Sequence, residues 1–143
     1  MRPPGTPIGL QLAHTSKSVS RAFSDALGAV GGSVPTWLIL THLMGNSWPA
    51  QHQLARAMHI EGPTLTRHLD GLEEAGLIVR NREPDNRRAV RVELTDAGRA
   101  KHAELRQAVI GFNRRLTAGL GEKELGELRA LLERLEQNVR AAS

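Results

Sequence analysis

Residues 51–95 read QHQLARAMHIEGPTLTRHLDGLEEAGLIVRNREPDNRRAVRVELT: two short helices meeting at a turn, then a two-stranded hairpin with arginines at its tip. The spacing predicts a first helix over about Gln51–Met58, with Leu54, Ala55 and Met58 on one side and Ile60 following. Glu61-Gly62-Pro63 supplies the break. Pro63 fits the first turn of the next helix, because the amide it lacks would have no partner there. That second helix, from Gly62 to Ala75, places Leu65, Leu69 and Leu72 on one side and leaves Thr64, Thr66, Arg67 and His68 pointing mostly elsewhere. Gly76 stops it, since glycine has no Cβ to clash in the left-handed cap conformation. Leu77-Ile78-Val79 and Val90-Arg91-Val92-Glu93-Leu94 favour strands. The segment between them is rich in turn formers, and Pro84 argues against a continuous strand there. Arg80, Arg82, Arg87, Arg88 and Arg91 all fall in this hairpin, against Glu83, Asp85 and Glu93. A basic hairpin directly after a helix-turn-helix is a winged helix-turn-helix.

The flanks are helical. Thr6-Pro7 predicts a helix start, with threonine as the cap and proline in the first helical position, running to about Val30. Its apolar side is Ile8, Leu12, Val19, Phe23, Ala26, Leu27 and Val30. Gly31-Gly32 breaks it, and Ser33 caps a helix over Val34–Met44 that is apolar almost all round. Thr95 caps a long helix reaching about Leu116, with Asp96 near its positive end. A last helix, about Glu122–Ala141, carries Leu125, Leu128, Leu132, Leu135 and Val139 as a narrow heptad seam. The expected fold is mainly α with a small β-hairpin. Residues 1–143 form a single domain, with the winged helix-turn-helix at 34–95 flanked by dimerisation helices at 6–30 and 96–141.

The run Glu73-Glu74-Ala75-Gly76-Leu77-Ile78, then Asp85-Asn86-Arg87-Arg88, then Val92-Glu93-Leu94-Thr95-Asp96-Ala97-Gly98 resembles the MarR family of bacterial transcriptional regulators. The resemblance extends from about Pro7 to Arg140. It departs from the family's pattern at Asn86, where an acid usually stands before the wing arginine, and at Glu61 or Gly62, where a serine or threonine often caps the recognition helix. The resemblance implies a homodimer with interlocked terminal helices, and a small-molecule effector that alters the spacing of the two recognition helices. Symmetry points the same way: dimeric helix-turn-helix proteins set their readers roughly 34–36 Å apart on palindromic operators.

Composition bounds the alternatives. A chain of 143 residues with 40% hydrophobic content can bury a core without covalent staples. There is no cysteine, which excludes disulfides, thiolate metal ligands and thiol redox sensing. A net charge of +4 and an isoelectric point near 10.6 suit an acidic polymer as partner. No apolar run is long enough for a membrane span and the N-terminus lacks a secretory core, so a cytoplasmic protein is expected.

Pro63, Thr64, Thr66, Arg67 and His68 stand where a recognition helix enters the major groove. There arginine bonds two guanine acceptors, threonine bonds or touches a thymine methyl, and proline offers apolar contact. The bland alternative for Arg67 is a solvated residue paired with Asp70 or Glu74. Arg87 and Arg88 at the wing suit a narrow minor groove, and Arg88 aligns with the wing arginine of the resembling family. Ser47, His52 and Gln53 are weaker candidates for phosphate contacts. None of His14, His42, His52, His59, His68 and His102 has a His, Asp or Glu three or four residues away, so helical zinc spacing is absent and no metal ligand is assigned. A site assembled across helices from His14, His42 and His102 is the remaining metal possibility. No catalytic motif, and hence no enzyme or cofactor, is expected.

The expected function is a sequence-specific regulator of transcription, a repressor relieved by a small ligand. Its partners are double-stranded DNA with a palindromic operator, and a second copy of the chain. The alternatives are a winged-helix module that docks proteins without DNA, and a metal-responsive regulator that uses histidines.

Overall fold

The structure, a computed structural model, describes residues 4–45, 50–83 and 86–141, with backbone alone for residues 83 and 86–89. Among these residues lie α1 (Ile8–Gly28), α2 (Val34–Gly45), α3 (Gln51–Met58), α4 (Gly62–Glu74), β1 (Ile78–Glu83), β2 (Asn86–Leu94), α5 (Asp96–Leu116) and α6 (Glu122–Ala141). The architecture is mainly helical with one antiparallel hairpin, as the apolar periodicities predict.

Helix ends follow local chemistry. Ser33 caps α2, its Oγ accepting the Thr36 N–H at 3.2 Å and donating to Thr36 Oγ1 at 3.0 Å. Helix α1 departs from expectation. It starts at Ile8 with Pro7 in the cap position and no side-chain cap bond, because the fixed φ of proline suits the entry to a helix whether or not a hydroxyl precedes it. Helix α4 closes in a Schellman turn: Leu77 N–H donates to Leu72 O at 2.9 Å and Gly76 N–H to Glu73 O at 3.0 Å, with Gly76 at φ +78°. The end of α3 repeats the motif with a histidine where glycine is usual. His59 sits at φ +56°, and the N–H groups of His59 and Ile60 donate to Arg56 O and Ala55 O.

The strands run further into the arginine-rich segment than its turn-forming composition indicates. The pairs are Ile78↔Leu94, Val79↔Glu93, Arg80↔Val92, Asn81↔Arg91, Arg82↔Val90 and Glu83↔Asn86, with an irregularity between Arg82 and Glu83. Ladder bonds use the backbone, which polar side chains leave free, so pairing reaches Glu83 and Asn86, while Pro84 itself lies outside the described residues. Ile78 and Val92 face inward and are 1% and 0% exposed.

The chain divides into two compact units, residues 1–110 and 111–143. In the first, the core consists of Leu27 on α1, Ile39, Leu40 and Leu43 on α2, Leu54 and Ala55 on α3, Leu65, Leu69 and Leu72 on α4, Ile78, Val92 and Leu105. Each fully buried leucine there contributes about 1.5–3 kcal/mol relative to exposure. The apolar side of α1 is divided. Phe23 and Val30 pack against the core, whereas Ile8 and Leu12 are 64% and 40% exposed, as is Leu10 at 52% on the other side of the helix. In the second unit α6 buries nothing, and Leu128, Leu131, Leu132, Leu135 and Val139 of its apolar face lie open.

Hairpin and α5 meet at Gly98. The Thr95 N–H donates to Leu77 O at 3.1 Å, Thr95 Oγ1 donates to Gly76 O at 2.6 Å, and Gly98 N–H donates to Thr95 Oγ1 at 3.0 Å. A Cβ on Gly98 would collide with the Leu77 carbonyl, a backbone atom already held by Thr95. Gly98→Ala is therefore expected to cost about 2–3 kcal/mol in urea unfolding, against about 1 kcal/mol for Gly76→Ala, where only the positive φ is strained. Equal costs would show that the close approach at Gly98 is not a constraint.

Candidate nucleic-acid interface

Helix α4 carries its buried leucines on one face, so the residues between them must face out. Pro63 occupies the first turn and is exposed, Thr64 and His68 are half-buried, and Thr66 and Arg67 are exposed. Glu61 precedes the helix in extended conformation and makes no side-chain cap bond, leaving the first-turn amides without a side-chain acceptor. Such a terminus favours negative charge.

Arg67 and Thr66 differ in availability. Among the described residues Arg67 has no hydrogen bond or ion pair. The pairing with Asp70 considered from spacing does not form, because Asp70 Oδ1 binds Arg80 Nη2 at 2.6 Å. Thr66 is committed within the protein: its Oγ1 donates to Gly62 O at 3.0 Å and accepts from Gln51 Nε2 at 2.8 Å. Its methyl remains the free part. Gln51, which sequence reading assigned no role beyond opening α3, thus joins the two helices across the turn. His52 and Gln53 are beside it at the start of α3, and Ser47 lies outside the described residues.

The hairpin arginines are not equivalent. Arg80 folds back onto α4, with Nε and Nη2 donating to Glu73 Oε1 at 3.1 and 2.8 Å, and its own backbone N–H donating to Glu73 Oε2 at 3.1 Å. Arg91 pairs with Glu93 at 3.0 Å. Arg87 and Arg88 lie on β2 by their backbones, and their side chains are outside the description. No sequence signal separates Arg80 from the other four, since its partners lie on a different element.

Arg80 lowers the Glu73 pKa, first through the side-chain hydrogen bond and then through its backbone N–H. Burial pulls the Arg80 guanidinium down, but the bonds to Glu73 and Asp70 outweigh it and the net shift is upward. On α5, the His102 ring stacks on Trp37 of α2 at 4.9 Å and 9°, and its Nε2 lies 3.4 Å from Thr41 Oγ1, also of α2. Burial, then the Arg106 charge, push its pKa down. His42 Nδ1 meets Leu38 O at 2.8 Å, and His14 lines a groove along α1. Among the described residues no three His, Asp or Glu side chains gather to hold a metal.

Residues 33–90 match the family model for the MarR family. A probable transcriptional regulator from Pseudomonas aeruginosa is 31% identical, with a TM-score of 0.77 over 90% of this chain and 96% of that one. The transcriptional repressor CouR, solved bound to a 23-mer DNA duplex, is 30% identical, with a TM-score of 0.82 over 91% and 92%. A mutant MarR from E. coli, complexed with operator DNA, shares the fold at 23% identity, with a TM-score of 0.76 over 90% and 93%.

Because the folded-state pKa of Glu73 is depressed, its bond to Arg80 contributes stability above the ordinary value of 4.5, and that contribution is lost as pH falls through the lowered value. Carboxyl NMR should place the Glu73 titration below 4.5 in the wild type and return it towards 4.5 in Arg80→Gln. A midpoint indifferent to Arg80→Gln would contradict the contact.

Proposed function

The chain belongs to the MarR family, and from that premise we propose that it is a homodimeric, sequence-specific DNA-binding regulator of transcription, a repressor relieved by a small ligand. The observation that carries this reading is the outward row of α4, where exposed Arg67 stands beside an uncapped helix start and next to a basic hairpin. Arg67 reads a guanine edge in the major groove, and Pro63, Thr64, His68 and the Thr66 methyl contribute shape and apolar contact. Arg87 and Arg88 enter the flanking minor groove.

Residues 34–95 serve as the reading lobe, and residues 6–30 and 96–141 join two copies. In support, Ile8, Leu10 and Leu12 of α1 and the open leucine face of α6 are apolar surfaces of the kind that a second copy buries. Leu10, His14 and Val19 line a groove along α1 that is open on this single helix, and a second copy covering it would complete a small-molecule site. A ligand there acts only through different affinities for the DNA-bound and free arrangements. Action on DNA implies the cytoplasm, and no helix of the described residues is long and apolar enough to cross a membrane.

Selection of bound sequences from random DNA by the purified protein should return a palindrome, and sedimentation should give a dimer. Arg67→Ala should weaken binding by about 1–3 kcal/mol and relax discrimination at one base pair per half-site. Arg88→Ala should weaken binding and lower the slope of log affinity against log salt by about 1. A monomer that binds no duplex would refute the proposal.

A further inference from the structure

Arg80 begins the wing, yet its side chain turns back from the wing onto α4. It is 18% exposed, against 60% for Asp70 and 40% for Glu73. Two of its three guanidinium nitrogens are occupied, Nη2 by Asp70 Oδ1 and Glu73 Oε1, and Nε by Glu73 Oε1. The Glu73 carboxylate is used from both ends, since its Oε2 accepts the Arg80 backbone N–H. One carboxylate of α4 therefore grips both the side chain and the main chain of β1. Across the ladder Arg80 faces Val92, which is fully buried. Any tilt of the hairpin against α4 would break the bonds to Asp70 and Glu73 together. A guanidinium that bridges two carboxylates, one of them also held by a backbone N–H, forms the kind of charge network in which a partly exposed ion pair has a measurable effect.

We propose that Arg80 is a positioning residue for DNA recognition: the Asp70–Arg80–Glu73 brace sets the angle between recognition helix and wing, so that both grooves are engaged at once. The proposal rests on the DNA-binding reading above. It has a consequence opposite in sign to simple electrostatics. Asp70 and Glu73 are acids on a helix that approaches phosphates, so removing their charge should by itself tighten binding. If they act through Arg80, neutralising Glu73 must weaken it.

The test uses fluorescence anisotropy with the duplex selected from random DNA and a scrambled duplex of equal length, at several salt concentrations. The proteins are wild type, Glu73→Gln, Arg80→Gln, Arg88→Ala and the double variant Arg80→Gln/Arg88→Ala, with melting temperatures recorded. Glu73→Gln and Arg80→Gln should each weaken binding to the selected duplex about 5- to 30-fold. Binding to the scrambled duplex should change less than about 2-fold, with an unchanged salt slope, because no phosphate contact is lost. Arg88→Ala should cost less in the Arg80→Gln background than in wild type, since a misplaced wing has less to lose. If Arg80→Gln also melts early, Glu73→Gln, a change at a more exposed side chain, decides the matter by the same criteria. The proposal is overturned if Glu73→Gln binds as tightly as wild type or more tightly. It is equally overturned if Arg80→Gln lowers the salt slope by about 1 with a fully additive Arg88→Ala penalty, the mark of a direct phosphate contact. A wild-type protein that ignores both duplexes overturns the DNA-binding reading and this proposal with it; normal binding by wild type and both brace variants overturns the brace alone.

Discussion

The carbonyl groups of Gly76 and Leu77 are the point on which the reading lobe closes. Gly76 O accepts the Thr95 hydroxyl, Leu77 O accepts the Thr95 amide, and the same hydroxyl caps α5 through Gly98 N–H. Four chain events thus meet at one junction: the end of α4, the start of β1, the end of β2 and the start of α5. The approach is close enough that Gly98 has no room for a Cβ against Leu77 O. A two-stranded ribbon is marginal by itself. This one is held at its open end by hydrogen bonds between backbone groups and a single threonine, and on its inner face by Ile78 and Val92 in the core.

The Arg80 brace extends that anchoring outward. The junction fixes the root of the wing, and Glu73, near the end of α4, fixes the next residues of β1 from the side. Hairpin arginines accordingly fall into different physical classes. Arg80 is consumed by carboxylates of α4 and Arg91 is paired with Glu93 on its own strand, whereas Arg67, outside the hairpin on α4, has no partner among the described residues. Counting basic residues along the hairpin measures its charge, whereas its capacity to contact phosphate depends on which cations their own neighbours have already satisfied.

The apolar surface follows a similar division. Leucines of α3 and α4 disappear into the core of the first unit, while the front of α1 and nearly the whole apolar side of α6 remain open. A folded chain seldom leaves large contiguous apolar faces without a use for them. Their periodicity is as regular as that of the buried helices, so pattern states that a face will be covered without stating what covers it.

What the sequence determined was whatever is written within a few residues. Apolar spacing specified α3, α4 and α6 almost to the residue, the Thr95 cap placed the start of α5, and Ser33 and Gly76 marked ends that the structure places where cap chemistry puts them. The outward row Pro63, Thr64, Arg67 and His68 followed from the same periodicity. Tertiary structure alone decided the rest. Strand pairing ran past the turn formers because the backbone ladder is indifferent to them, and His59 took a left-handed position that glycine usually holds. The Thr66 hydroxyl went to Gly62 and Gln51, and Arg80 to Asp70 and Glu73. The physical reason is range. Helix period and caps are settled by neighbours four residues away or fewer, but whether a polar group remains available depends on which partners folding brings within about 3 Å.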